Sequence, residues 1–212
     1  MGVYDKPFWS KDFYDHQARW LHYFNQIKAV AREIREREDH NDNFSVLEIG
    51  PSYGLVTFYL RKFGVDIKTL DFKPEYQPDF LASVLKMPLP DNSFDLILVC
   101  EVLEHLPFEN FPGVLKEIHR VTKKTVFLSL PDGRSTLLNF RLKLPFLKEF
   151  KFLLKIPDFK KHIFNGHYFE IGKPGFSLEK IKGIIEKTGF KIKSDRVKSD
   201  TPKNHYFILE KI

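Results

Sequence analysis

The sequence predicts an α/β fold with a mostly parallel sheet and helices on both of its faces, on three observations. Short apolar runs alternate with amphipathic stretches along most of the chain, as strands joined by helical crossovers do. The run Val46-Leu47-Glu48-Ile49 opens at once into Gly50-Pro51-Ser52-Tyr53-Gly54, a strand feeding a turn whose glycines permit close ligand approach that a Cβ would block. About 20 positions beyond that turn, Asp71 ends the run Asp66-Ile67-Lys68-Thr69-Leu70-Asp71, placing a carboxylate where a ribose hydroxyl pair is held.

Ahead of the first strand, Phe13, His16, Trp20, Phe24, Ile27, Ala31 and Ile34 recur at three- and four-residue steps. They predict an amphipathic helix packed on the sheet or over its ligand-bearing edge. After the glycine turn a helix carries Val56, Tyr59, Leu60 and Phe63 on one face, and Gly64 stops it. Leu96 to Cys100 reads as a buried strand, Phe111, Val114, Leu115, Ile118 and Val121 mark a helix, and Thr125 to Leu130 is the next strand. Residues 135–175 form an insertion rich in aromatic and basic side chains, among them Phe140, Arg141, Lys143, Phe146, Lys148, Phe150, Lys151, Phe152, Lys155, Phe159, Lys160 and Lys161. It reads either as a basic amphipathic helix pair with solvated lysines or as a surface that attracts an anionic substrate. A helix from Ser177 to Thr188, stopped by Gly189, and strands from Phe190 to Val197 and His205 to Glu210 complete the chain.

With 212 residues and 42% apolar content, the chain suits one sizeable core and is short for two. The expected layout is a single domain: an N-terminal helical cap (1–43), a core carrying the glycine turn (44–134), the insertion (135–175) and a C-terminal helix with a strand pair (176–212). A single cysteine, Cys100, excludes an internal disulfide and suits a reducing compartment. No apolar run approaches the roughly 20 residues that span a bilayer. The N-terminus has no signal-peptide core, and Lys6 stands where a myristoylation motif has Ser or Thr. The expectation is a cytoplasmic protein. Its net charge of +6 favours an acidic partner such as a phosphorylated lipid, a sugar nucleotide or RNA. A small-molecule, lipid-linked or sugar-linked acceptor is preferred over nucleic acid, and oligomeric state is not legible.

The turn reads Glu48-x-Gly50-x-Ser52-x-Gly54, without the third glycine of a dinucleotide fingerprint. Downstream, Met87-Pro88-Leu89-Pro90-Asp91-Asn92-Ser93-Phe94-Asp95 leads through the Leu96–Cys100 strand into Glu101-Val102-Leu103-Glu104-His105-Leu106-Pro107. Together these blocks resemble the class I S-adenosylmethionine-dependent methyltransferases of the type 11 family over roughly residues 45 to 131. The resemblance implies a Rossmann-like, seven-stranded sheet closed by an antiparallel C-terminal strand, a substrate lid after the fifth strand, and S-adenosyl-L-methionine as cofactor. It places the cofactor against Glu48, Gly50, Pro51, Ser52, Tyr53, Gly54, Asp71, Phe72, Ser83, Val84, Leu85, Cys100 and Glu101. Ser52 replaces the usual middle glycine. Ser83 stands where an Asp often holds the adenine amino group, so its hydroxyl or the backbone must do so. Arg19, in a segment resembling the arginine motif of ubiquinone-pathway O-methyltransferases, is either a partner for the cofactor's carboxylate or a solvated helix arginine.

Methyl transfer from a sulfonium needs alignment of nucleophile, carbon and sulfur, and removal of a proton when the nucleophile is a hydroxyl. His105, Glu101 and His167 are the catalytic candidates, His105 as a general base titrating near neutrality and His167 as a second candidate base from the insertion. No metal site is assigned. Two other roles stay open for the Glu101-x-x-Glu104-His105 segment: capping and orienting its helix, or binding Mg or Mn as the similar segment does in small-RNA 2′-O-methyltransferases. A catalytically silent cofactor-binding regulator and a nucleotide-dependent oxidoreductase are the alternative functions.

Overall fold

The computed structural model describes residues 17–37, 44–160, 162–164 and 166–212. Helix α1 (Gln17–Arg35) leads into β1 (Ser45–Ile49), α2 (Leu55–Lys62), β2 (Asp66–Asp71) and the short β3 (Phe80–Leu81). Then come β4 (Phe94–Cys100), α3 (Phe111–Val121), β5 (Thr122–Pro131), β6 (Ser135–Leu142), β7 (Phe150–Ile156), α4 (Leu178–Lys187), β8 (Phe190–Lys198) and β9 (Thr201–Lys211). Seven strands form one sheet in the order β3-β2-β1-β4-β5-β9-β8. Every pairing from β3 to β5 is parallel, and β9 runs antiparallel to both β5 and β8. The strand order reverses between β1 and β4, which opens a crevice at the carboxyl ends of those strands.

Alternation along the buried strands feeds two cores. Leu47, Ile49, Ile97, Val99, Val126 and Leu128 face α3 and α4, packing with Val114, Leu115, Ile118, Ile181 and Ile185. The intervening Val46, Leu96, Leu98 and Phe127 face α1 and α2, packing with Val30, Val56 and Leu60. Helix α4 starts where Ser177 accepts the Lys180 N–H at 3.2 Å, an N-cap. Among the described residues no helix is long and apolar enough to cross a membrane.

Three expectations are corrected. On α1, the stripe of Trp20, Phe24 and Ile34 is exposed, while His22, Asn25, Gln26 and Val30 are buried. Phe13 and His16 lie outside the described residues. The helix docks through Val30 with Tyr23, Ile27 and Ala29, and through polar contacts, since His22 Nδ1 lies 3.0 Å from the Tyr206 hydroxyl and Asn25 Nδ2 donates to it at 3.2 Å. A buried phenol must be partnered, and that requirement outweighs the apolar stripe. On α2, Val56 and Leu60 are buried, but Tyr59 and Phe63 stay exposed and pack on each other with ring centroids 4.8 Å apart. Residues 135–156 form not a helix pair but an antiparallel hairpin, separate from the main sheet. Leu138, Phe140 and Leu142 opposite Leu154, Phe152 and Phe150 recur every second residue, which is the strand period.

Candidate active site

The glycine turn lies at the carboxyl end of β1, with the Gly50 N–H bonded to the Leu70 carbonyl at 2.9 Å. Gly50 has φ +70°, and a Cβ there would stand 2.5 Å from Val102 Cγ2, so both backbone shape and space require glycine. Ser52 also lies in the left-handed region at φ +52°. Gly54, at φ +69°, faces open space: a Cβ would meet nothing within 4 Å. Pro51 is buried in the turn, and Tyr53 is half exposed, its ring edge-on to Tyr76 at 6.2 Å. Glu48 is buried beneath the turn, hydrogen-bonded by the Thr57 hydroxyl of α2. Burial pushes its carboxyl up to about 7. This hydrogen bond ties β1 to α2. A cavity of about 300 Å³ opens on the α2 flank of the turn, and its lining includes none of Asp71, Glu101, Glu104 and His105.

Asp71 ends β2 nearly buried, its Oδ1 accepting the Lys73 N–H at 2.9 Å, and burial raises its carboxyl above the usual range. The neighbouring Phe72 is exposed. Val84 is buried between the exposed Ser83 and Leu85, and the Ser83 hydroxyl accepts the Leu85 N–H at 3.2 Å, so it shapes its own turn. At the end of β4, Cys100 is half-buried, and burial with the adjacent Glu101 pushes its thiol well up. Glu101 turns out of the strand at φ +55°, its N–H bonded to the Ser129 carbonyl at 3.2 Å and its carboxylate accepting the Ser129 hydroxyl at 2.8 Å. Burial raises its pKa. These positions line the carboxyl ends of β1, β2, β3 and β4, and the glycine turn leaves room beside Gly54, so the residues present fit an adenosyl cofactor with an amino-acid tail.

Beyond Glu101, the segment 103–105 forms one tight helical turn. Glu104 is fully buried, and neither carboxylate oxygen has a hydrogen-bond partner. Burial, then the charge of Glu101, holds its carboxyl well above the usual range. Residues 166–168 of the insertion fold back over this turn. The Tyr168 N–H donates to the Glu104 carbonyl at 2.7 Å, and His105 Nδ1 donates to the Gly166 carbonyl at 2.8 Å. His105 and His167 meet edge to face at 5.0 Å, and His167 Nδ1 stands 3.2 Å from Glu170 Oε1. Burial lowers the His105 pKa. One ligand atom from each of Glu104, His105 and His167 lies within 4.8 Å of the others, a donor set of one carboxylate and two imidazoles. Glu101 is not part of that set and faces Ser129 instead.

The structure thus joins His105 to His167, 62 positions apart, and leaves Arg19 on α1 half-buried. The partners that sequence reading missed are Ser129, Gly166 and Glu170. Glu170 stands three residues after His167, a local spacing, whereas Ser129 reaches Glu101 only through the β4–β5 pairing.

Residues 47–130 match the model of the methyltransferase domain family. An uncharacterized protein of Methanocaldococcus jannaschii is 28% identical over 105 residues, covering 47% of this chain and 44% of that protein. The demethylmenaquinone methyltransferase of Geobacillus stearothermophilus is 38% identical over 60 residues, covering 28% of this chain and 25% of that enzyme. The chain therefore spans less than half the length of these relatives. The magnesium protoporphyrin IX methyltransferase of Synechocystis PCC 6803, solved with S-adenosylhomocysteine bound, superposes with a TM-score of 0.58 at 12% identity over 92% of this chain and 86% of that one. Over residues 47–130 the chain is thus similar to the methyltransferase domain family in motif order, and the whole chain shares the fold of that S-adenosylhomocysteine-bound methyltransferase.

Proposed function

We infer that the protein transfers a methyl group from S-adenosyl-L-methionine to a small-molecule, lipid-linked or sugar-linked acceptor whose nucleophile loses a proton. The cofactor supplies the methyl as an activated sulfonium. Gly50 to Gly54 would receive its amino-acid end, Asp71 its ribose hydroxyls, Ser83 to Leu85 its adenine, and Cys100 and Glu101 would border its sulfur. The observation that carries the reading is the state of His105. A carbonyl only accepts, so the contact with Gly166 puts a proton on Nδ1. With the pKa lowered, the ring is neutral near pH 7 and Nε2 keeps a lone pair for the acceptor's proton. His167 packs beside this ring, and Glu101 lies within electrostatic reach of His167. The charge of +6 supports an anionic acceptor.

One observation favours a second reading of the same cluster. A carboxylate buried with both oxygens unpartnered, beside two imidazoles, is a donor set for a divalent cation that would lower an acceptor hydroxyl's pKa.

S-adenosylhomocysteine should raise the melting temperature while NAD leaves it unchanged. The reverse result would favour an oxidoreductase. Binding without turnover on any acceptor would favour a silent regulator. With an acceptor in hand, His105→Ala should lower turnover by about 10²–10⁴-fold. Activity that resists EDTA and rises with pH through one ionisation keeps His105 as the base. Loss in EDTA, restoration by Mn, and a calorimetric Mn isotherm abolished by Glu104→Gln would give the cluster to a metal.

A further inference from the structure

The β6–β7 hairpin is an amphipathic ribbon whose two faces have opposite fates. On one face Leu138, Phe140 and Leu142 stand across from Leu154, Phe152 and Phe150, and all six are exposed. On the other, Arg141 and Lys151 pair with Asp200, Asn139 donates to the Ser199 carbonyl at 2.9 Å, and Lys155 reaches Asp132 at 2.8 Å. The polar face is therefore bound to the body, and the apolar face is turned away from it. At the tip, Lys143 and Lys148 bracket Leu144, Pro145, Phe146 and Leu147, and Phe146 is fully exposed. Apolar exposure continues past the ribbon through Phe159, Ile163 and Phe164. So extended an apolar face is a docking surface rather than ordinary surface composition.

We propose that this hairpin docks the protein on an anionic lipid bilayer, with the apolar face and tip in the interface and Lys143 and Lys148 among the headgroups. Charge selects the occupant. Arg141, Lys151 and Lys155 are engaged on the body side, and Glu149 and Asp158 are paired with Lys151 and Lys173, so the charges the tip presents are those of Lys143 and Lys148, which anionic headgroups complement. A second copy of this chain would bring lysine-rich tips together. Backbone chemistry sets the depth. The outer edges of a two-stranded ribbon carry unpaired N–H and C=O groups, which hydrocarbon cannot satisfy, so the hairpin lies in the interface and does not cross. The proposal goes beyond methyl transfer and does not depend on it, although the same insertion supplies His167.

The test is co-sedimentation of the full chain with vesicles of phosphatidylcholine, alone or doped with phosphatidylserine. Binding should require phosphatidylserine and weaken with added salt. The double change Phe146→Ser and Leu147→Ser should weaken it by at least about tenfold, since both side chains are already exposed and no core is disturbed. Lys143→Glu with Lys148→Glu should remove the phosphatidylserine dependence. A Phe146→Trp variant should show blue-shifted emission on binding. No sedimentation with either vesicle, or binding unaffected by the tip changes, overturns the proposal. A concentration-dependent dimer abolished by the same serine changes also overturns it, giving the face to a second copy.

Discussion

The β1–β5 half of the sheet and the 135–156 hairpin use the same residue types to opposite ends. Leu96, Ile97, Leu98 and Val99 are wholly buried, whereas the hairpin's Leu138, Phe140, Phe150 and Phe152 are all exposed. A side chain's apolarity does not decide its place; the presence of a covering layer does. Helices cover both faces of the sheet, and no described element covers the ribbon's outer face. Carboxyl groups differ as sharply. In the sheet, burial pushes Glu48 up, and at the hairpin's root hydrogen bonds from His205, Arg134 and Lys155 outweigh burial and hold Asp132 well below the usual range.

The strongest way to break this contrast is to cut the joint between the two regions. Asp132 is buried between Arg134, just before β6, and Lys155 on β7, at 2.6 and 2.8 Å. Asp132→Ala should cost about 3–5 kcal/mol, because two cations lose a buried partner. Denaturant titration reads the loss, and hydrogen exchange should quicken in 135–156 before the central strands. Protection that falls equally in both regions would sink the idea of a separately held hairpin.

Acid and base then sharpen the contrast through the signs of two carboxyls. Asp132 has a depressed native pKa, so its contribution is present above the unfolded value of 3.8 and fades as pH falls through the native one. Glu48 has a raised native pKa, so its stabilising contribution is full below the unfolded value of 4.5 and is lost as pH rises towards about 7. Glu48→Gln should remove that decline and stabilise the protein at pH 8 by up to about 3 kcal/mol relative to pH 4. Melting curves across that range measure it, and identical pH slopes in both proteins would contradict the assignment.

A smaller effect isolates the cofactor half alone. Asp71→Ala should weaken S-adenosylhomocysteine binding by about 1–3 kcal/mol in calorimetry while leaving vesicle binding untouched. Unchanged affinity would remove Asp71 from the site.

Much of the fold was legible because its signals are local. Val114, Leu115, Ile118 and Val121 of α3 are buried as their spacing requires, and the hairpin of β8 and β9 pairs as expected. The misread face of α1 depends on Tyr206, 181 positions from Asn25. The hairpin's signal is the period-two alternation of its apolar residues, which its aromatic and basic composition masks. In the site, the Glu101–His105 segment could be named from its motif and His167 as a candidate base in the insertion. Their meeting, and the unpartnered burial of Glu104, come from a backbone contact between Tyr168 and Glu104 that no spacing reveals.

Strand β5 serves both regions at once. Ser129, which holds Glu101, and Asp132, which clasps the roots of β6 and β7, stand three residues apart on one stretch of backbone. That stretch is hydrogen-bonded to β4 on one side and β9 on the other, so it acts as a shared beam. A load applied to the outer ribbon is carried by the same beam that sets the angle of the carboxylate at the reaction crevice.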